Sequence, residues 1–166
     1  MSINHLHDHL AAEIILDACF VTCVYVPVDA TLLARIPEYL KADLKSRSLA
    51  TPVSVIYIGE IPAAESGKAN ILITSSLDST RPIHGRGEEV GVRIRISSTD
   101  ASGEQALKIL QNYVGKKRYP LGPVTVGAQV LPAITVADIR QASAVVPAKG
   151  DKAGWFLHFV NLKLVF

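Results

Sequence analysis

The residues able to do chemistry lie in a few short clusters, the first being His5-Leu6-His7-Asp8-His9. On a helix, His5 and His9 share a face one turn apart, as two metal-binding imidazoles would. A site would need a third ligand such as His84 or Asp8, and no His-Glu-x-x-His spacing accompanies the pair. The plainer reading is a solvated first turn near the chain start. Cys19 and Cys23 are separated by three residues, not two, which fits neither a redox Cys-x-x-Cys nor a zinc knuckle. They read as two small buried apolar side chains. Gly85-Arg86-Gly87-Glu88-Glu89-Val90-Gly91 resembles a nucleotide loop in composition, but it leads into a strand. A pyrophosphate cradle leads from a strand into a helix, so this segment is expected to be a turn. Ser75-Ser76 lacks a Gly-x-Ser-x-Gly frame, and Glu88 and Glu89 on a strand would point to opposite faces. No catalytic residue, metal ligand set or cofactor site is expected.

The arginines remain. Arg81, Arg86, Arg93 and Arg95 fall within 15 residues, offset by Glu88 and Glu89. Arg93 and Arg95 share one strand face, and Val92, Ile94 and Ile96 share the other. The plain reading is a solvated outer face. The functional reading is a subunit contact or a lining that faces a polyanion, since arginine is favoured in both roles.

These residues must be positioned by a chain of 166 residues, the size of one domain with no room for a second. Apolar residues make up 49% and charged residues 19%, the balance of a folded globular protein. Lysine and arginine total 17 against 15 acids, and the net charge of +2 is too small to imply nucleic-acid affinity. The most apolar stretch, Ile14 to Val28, is 15 residues long and carries Asp17 and Pro27, so it reads as core. A bilayer span needs about 20 apolar residues. The first residues lack a basic export region, and two cysteines build no disulfide framework, so a reducing intracellular setting is expected.

Ser2 can cap a first helix whose stripe is Ile3, Leu6, Leu10 and Ile14, and Phe20 to Val26 reads as a strand or extended tail. Thr31 or Asp29 opens a helical region, with a helix proper from Pro37 to about Ser46. Val53 to Ile58 is nearly continuously apolar, which predicts a strand buried on both faces. Asn70 to Thr74 and the alternating Val90 to Ile96 are the next strands. Ser102 opens a helix that Gly115 closes, with Ala106, Ile109, Leu110 and Tyr113 as its buried stripe. Pro120 to Pro123 reads as a turn, Val124 to Val126 with Val130 as strand, and Trp155 to Phe166 as the last strand. Pro132 to Lys149 and Val145 to Gly154 are expected to be loop. The fold class is therefore α+β: a mostly antiparallel sheet against one or two helices, with residues 1–50 as an N-terminal helical region and 51–166 as the sheet-and-helix core. Val92, Ile94, Ile96 and Leu110 are its expected core.

The second half has a family resemblance. Val90-Gly91-Val92-Arg93-Ile94-Arg95-Ile96, a polar turn and the helix with Ala106-Leu107-Lys108-Ile109-Leu110 resemble the central strand and helix of bacteriophage tail-terminator and neck (minor capsid) proteins. Asp151-Lys152-Ala153-Gly154 and the aromatic-rich strand with Asn161 are similar to that family's closing turn and strand. Trp155 stands where the family usually has an arginine, and the first 50 residues have no counterpart. The resemblance implies a virion structural protein without an active site. Such a protein forms a homo-oligomeric, hexameric ring that ends tail-tube polymerisation and joins the tube to the head connector or stopper protein. Genomic DNA passes through the ring without sequence-specific binding, no membrane is involved, and assembly takes place in the bacterial host cytoplasm. Arg81, Arg86, Arg93 and Arg95 then become interface or lumen residues. The competing readings are a small metal-dependent enzyme using the N-terminal histidines, and a binding or adaptor domain.

Overall fold

Strand β3 (Glu88–Ser98) is the axis of the molecule, because its strict alternation gives one wholly apolar face. Val90, Val92, Ile94 and Ile96 on that face are all buried. The computed structural model describes residues 30–50, 55–82, 88–149 and 154–166. Before β3 come α1 (Ala30–Leu33), α2 (Ile36–Ser46), β1 (Ile56–Ile58), a 3-10 turn (Ala63–Glu65) and β2 (Asn70–Pro82). After it come α3 (Glu104–Tyr113), β4 (Lys117–Leu121), β5 (Val124–Val126), β6 (Gln129–Leu131), β7 (Ile134–Lys149) and β8 (Phe156–Val165). Six strands form one sheet in the order β1-β2-β3-β8-β7-β4, and β5 and β6 form a separate hairpin. Only the β1–β2 pair is parallel, so the α+β class with a mostly antiparallel sheet is the observed architecture.

The register aligns the apolar positions across the sheet. Ile71 pairs with Ile96, Ile73 with Ile94, Ile94 with Val160, and Val92 with Leu162. Helix α2 covers this face chiefly over β1, β2 and β4, and α3 covers it over β7 and β8. Helix α2 ends in a Schellman arrangement: Leu49 N donates to Leu44 O (2.9 Å) and Ser48 N to Lys45 O (3.1 Å). Ser48 takes φ 55° there, a conformation glycine usually supplies. Helix α3 begins at Gly103, whose φ of 71° and close approach to the His158 ring both exclude a side chain.

Four expectations need correction. Leu110 is only half-buried; the buried stripe of α3 is Gln105, Ala106, Ile109 and Tyr113, so Leu110 lies at its flank. The strand near Ile58 is a sheet edge with one neighbour, so only Ile56 of its three residues is buried. Pro120 lies within β4, which a proline tolerates because β4 is the opposite edge. The region from Ile134 to Lys149 is the longest strand of the sheet, not a loop. Register shifts between Ile139 and Gln141, and again between Val145 and Ala148, break the two-residue period that would have revealed it. The histidine cluster, His84, both cysteines, the first helix and strand, Arg86 and the Asp151 turn residues lie outside the described residues. No helix among the described residues is long and apolar enough to cross a membrane.

The corrected phase of α3 makes a prediction. Ile109 has no exposed surface, so Ile109→Ala should cost roughly 2–5 kcal/mol, whereas Leu110→Ala should cost less than half as much. Urea unfolding of both variants checks this; equal losses would contradict the phase.

Candidate functional site

Both helices pack on one side of the sheet, and the opposite side carries the arginines. Alternation places Tyr57 of β1, Leu72 of β2, Arg95 of β3 and Phe159 of β8 in one cross-strand row: Tyr57 pairs with Leu72, Leu72 with Arg95, and Arg95 with Phe159. The adjacent row is Thr74, Arg93, Asn161 and Ser143, and the next holds Gly91, Lys163 and Gln141. Gly91 has no side chain, so the surface dips there into a depression of about 250 Å3 lined by Arg93, Asn161, Lys163, Gln141 and Ser143.

The cations on this face differ in how they are held. Arg93 is exposed; its Nε donates to Asn161 Oδ1 at 2.9 Å, and its guanidinium sits 5.7 Å from the Phe159 ring centroid. That geometry suits a cation–π contact. Lys163 and Arg140 both approach Glu89, at 3.6 and 3.8 Å. Arg95 is half-buried between Leu72 and Phe159, and its Nε is shut off from solvent without a hydrogen-bond partner. A buried donor with no acceptor costs about 1–3 kcal/mol. Chemically, the face offers a fork of donors flanked by apolar and aromatic surface, the composition of an interface core. Of the four expected arginines, the fold brings Arg93 and Arg95 together. Arg81 lies on β2 opposite Glu89 across a register irregularity.

A second polar constellation sits on the helix side, and sequence reasoning did not find it. Asp43 on α2 is buried, and its Oδ2 accepts from the hydroxyls of Tyr113 and Tyr119, each at 2.8 Å. Its Oδ1 accepts from Arg47 Nε at 2.9 Å. Asn112 Nδ2 donates to Tyr119 Oη at 2.9 Å, and the Arg47 guanidinium lies 4.9 Å from the Tyr119 ring centroid. The available signal was position: Ile36, Leu40 and Leu44 trace the buried stripe of α2, and Asp43 falls on it where an apolar residue belongs. Every oxygen of this carboxylate is matched, so the cluster is a clamp between α2, α3 and β4 with no group left over for a substrate.

The clamp leaves a pH signature. Burial first, and then Asp43, push the Tyr119 hydroxyl up to about 12 against a lowering hydrogen bond from Asn112, and burial raises Tyr113 well above its usual range. Both phenols are held neutral in the fold, so this stabilisation is complete below pH about 10 and is lost as pH rises through about 12. Urea midpoints should therefore fall across that window, and Tyr119→Phe should flatten the slope without abolishing it, because Tyr113 remains. A slope unchanged by Tyr119→Phe would contradict the assignment.

Two other buried polar atoms lack partners, Asn70 Oδ1 and His158 Nε2. His158 belongs to the core face, opposite Ile96 and beneath Gly103, away from the arginine rows. Among the described residues no three His, Cys, Asp or Glu side chains gather as a metal site.

No family model matches the chain, and no curated protein does. One solved structure, whose name describes no function, is 13% identical and covers 84% of this chain and 97% of its own, with a TM-score of 0.46.

Proposed function

We propose that this chain is a virion structural subunit of the tail-terminator or neck kind, which assembles into a ring that caps the tail tube and joins it to the head connector. The observation that carries this reading is the sheet face opposite the helices, on which, among the described residues, Arg95 lies half-buried among apolar neighbours with its Nε unmatched. A face of that composition gains most from a protein partner that brings a carboxylate and covers Phe159, Leu72 and Tyr57. The sheet edges are poorer candidates for assembly. β1 offers three residues, and β4 carries Pro120 with Lys117 and Arg118, features that blunt edge pairing. Face-directed contact between copies is left as the route to a ring.

The resemblance supports the same reading from another side. Its strand and its final strand are β3 and β8, which pair over ten residues at the centre of the sheet, and its helix is α3, packed on β8. The segments that carry the likeness therefore make one contiguous unit of the fold.

The test is co-assembly with the cognate tail-tube protein. Adding this chain during tube polymerisation should give shorter tubes with a density cap at one end in negative-stain images. Tubes of unchanged length with bare ends would overturn the proposal.

A further inference from the structure

We propose that the groove between α2 and the β5–β6 hairpin takes an extended segment of a partner protein, which adds as a third strand to β5 and brings carboxylates to Lys41 and Lys45. The groove lies on the helix side of the sheet, opposite the arginine rows, so this inference stands apart from the ring reading.

β5 pairs with β6 alone, and α2 packs against β5, so the outer edge of β5 borders the helix. Residues 123–127 all line the groove, whose volume is about 530 Å3. One face of a strand would contribute every second residue, so an unbroken run means that the hairpin presents its backbone edge. Such an edge offers N–H and C=O groups to an added strand. Ala42 of α2, Ile58 of β1, and Val124 and Val126 of β5 supply an apolar floor for alternate side chains of that strand. Lys41 and Lys45 stand one helical turn apart beside it, and neither makes an ion pair among the described residues. Like charges at that spacing oppose each other, and a carboxylate between them removes the opposition. Glu38 also lines the groove, but Arg35 holds it at 3.1 Å, so it is not their counter-ion. β5 has three residues and spans about 10 Å, which suits a short segment with apolar residues at alternate positions and acids between them.

The probe is a fluorescein-labelled peptide of four Val-Glu repeats, titrated with the full chain and followed by fluorescence anisotropy. It should bind saturably. A Val-Lys peptide, which reverses the charge, and a Val-Glu peptide N-methylated at every second residue, which blocks strand pairing, should each bind about tenfold more weakly or worse. Lys41→Glu combined with Lys45→Glu should weaken the Val-Glu peptide about tenfold and strengthen the Val-Lys peptide. Lys116→Glu combined with Lys117→Glu, a basic pair outside the groove, should change binding by no more than about twofold. Circular dichroism reports the fold of each variant. If the first double variant does not fold, Lys41→Gln with Lys45→Gln takes its place and must weaken the Val-Glu peptide alone. No saturable binding overturns the proposal. So does equal binding of the N-methylated peptide, which would leave only charge attraction, or an equal loss from the Lys116 and Lys117 variant.

Discussion

Asp43→Ala should destabilise the chain by about 3–5 kcal/mol, a large share of the 5–15 kcal/mol typical of a domain. The carboxylate accepts from two tyrosine hydroxyls and a guanidinium, so its removal leaves the donors of Tyr113 and Tyr119 facing a cavity. Arg47 is partly exposed and can turn to water, but Tyr113 is fully buried and cannot. Each stranded hydroxyl costs about 1–3 kcal/mol. Asp43→Asn should be milder, since an amide oxygen still accepts, and Tyr113→Phe milder still because it removes one donor and strands little. Urea midpoints with unchanged m-values would report this order. A loss below about 1 kcal/mol for Asp43→Ala would mean the clamp opens to solvent.

Arg93→Glu combined with Arg95→Glu should leave the fold intact and dissociate the proposed ring. Both side chains stand opposite the apolar face of β3, so Val92, Ile94 and Ile96 keep their packing. The reversal also breaks the Arg93–Asn161 hydrogen bond and the contact with the Phe159 ring, both at the surface and therefore small in cost. At the interface, two repelling charges per contact should weaken association by about 2–5 kcal/mol. Circular dichroism of wild-type shape with a monomer sedimentation coefficient is the expected result. A double variant that still forms rings would refute the interface role of this face, and an unfolded one would show that the arginines hold the fold itself.

The parts of the fold legible in the sequence are those whose period is unbroken. The alternation of β3, the stripe of α2 and the run Val160 to Phe166 each announce one buried face, and each is found where expected. β7 escaped because two register irregularities shift its apolar residues out of phase. β4 escaped because Pro120 and Gly122 signal a turn in isolation, and only the position of β4 at the sheet edge makes a proline acceptable. The sharing of a face by Arg93 and Arg95 was readable from spacing. That Arg95 is half-buried between Leu72 and Phe159 was not, because cross-strand neighbours depend on register between segments far apart in the chain. The Asp43 clamp joins residues 70 and 76 positions apart, beyond the reach of any local pattern.

The central claim is that the arginine-bearing sheet face joins copies of this chain into a ring, and negative-stain class averages of the purified wild-type protein test it most directly. The account predicts annular particles of about six subunits around an open channel, as closed head-to-tail contacts produce. Particles the size of a single 17.8 kDa chain at every concentration tried would contradict it.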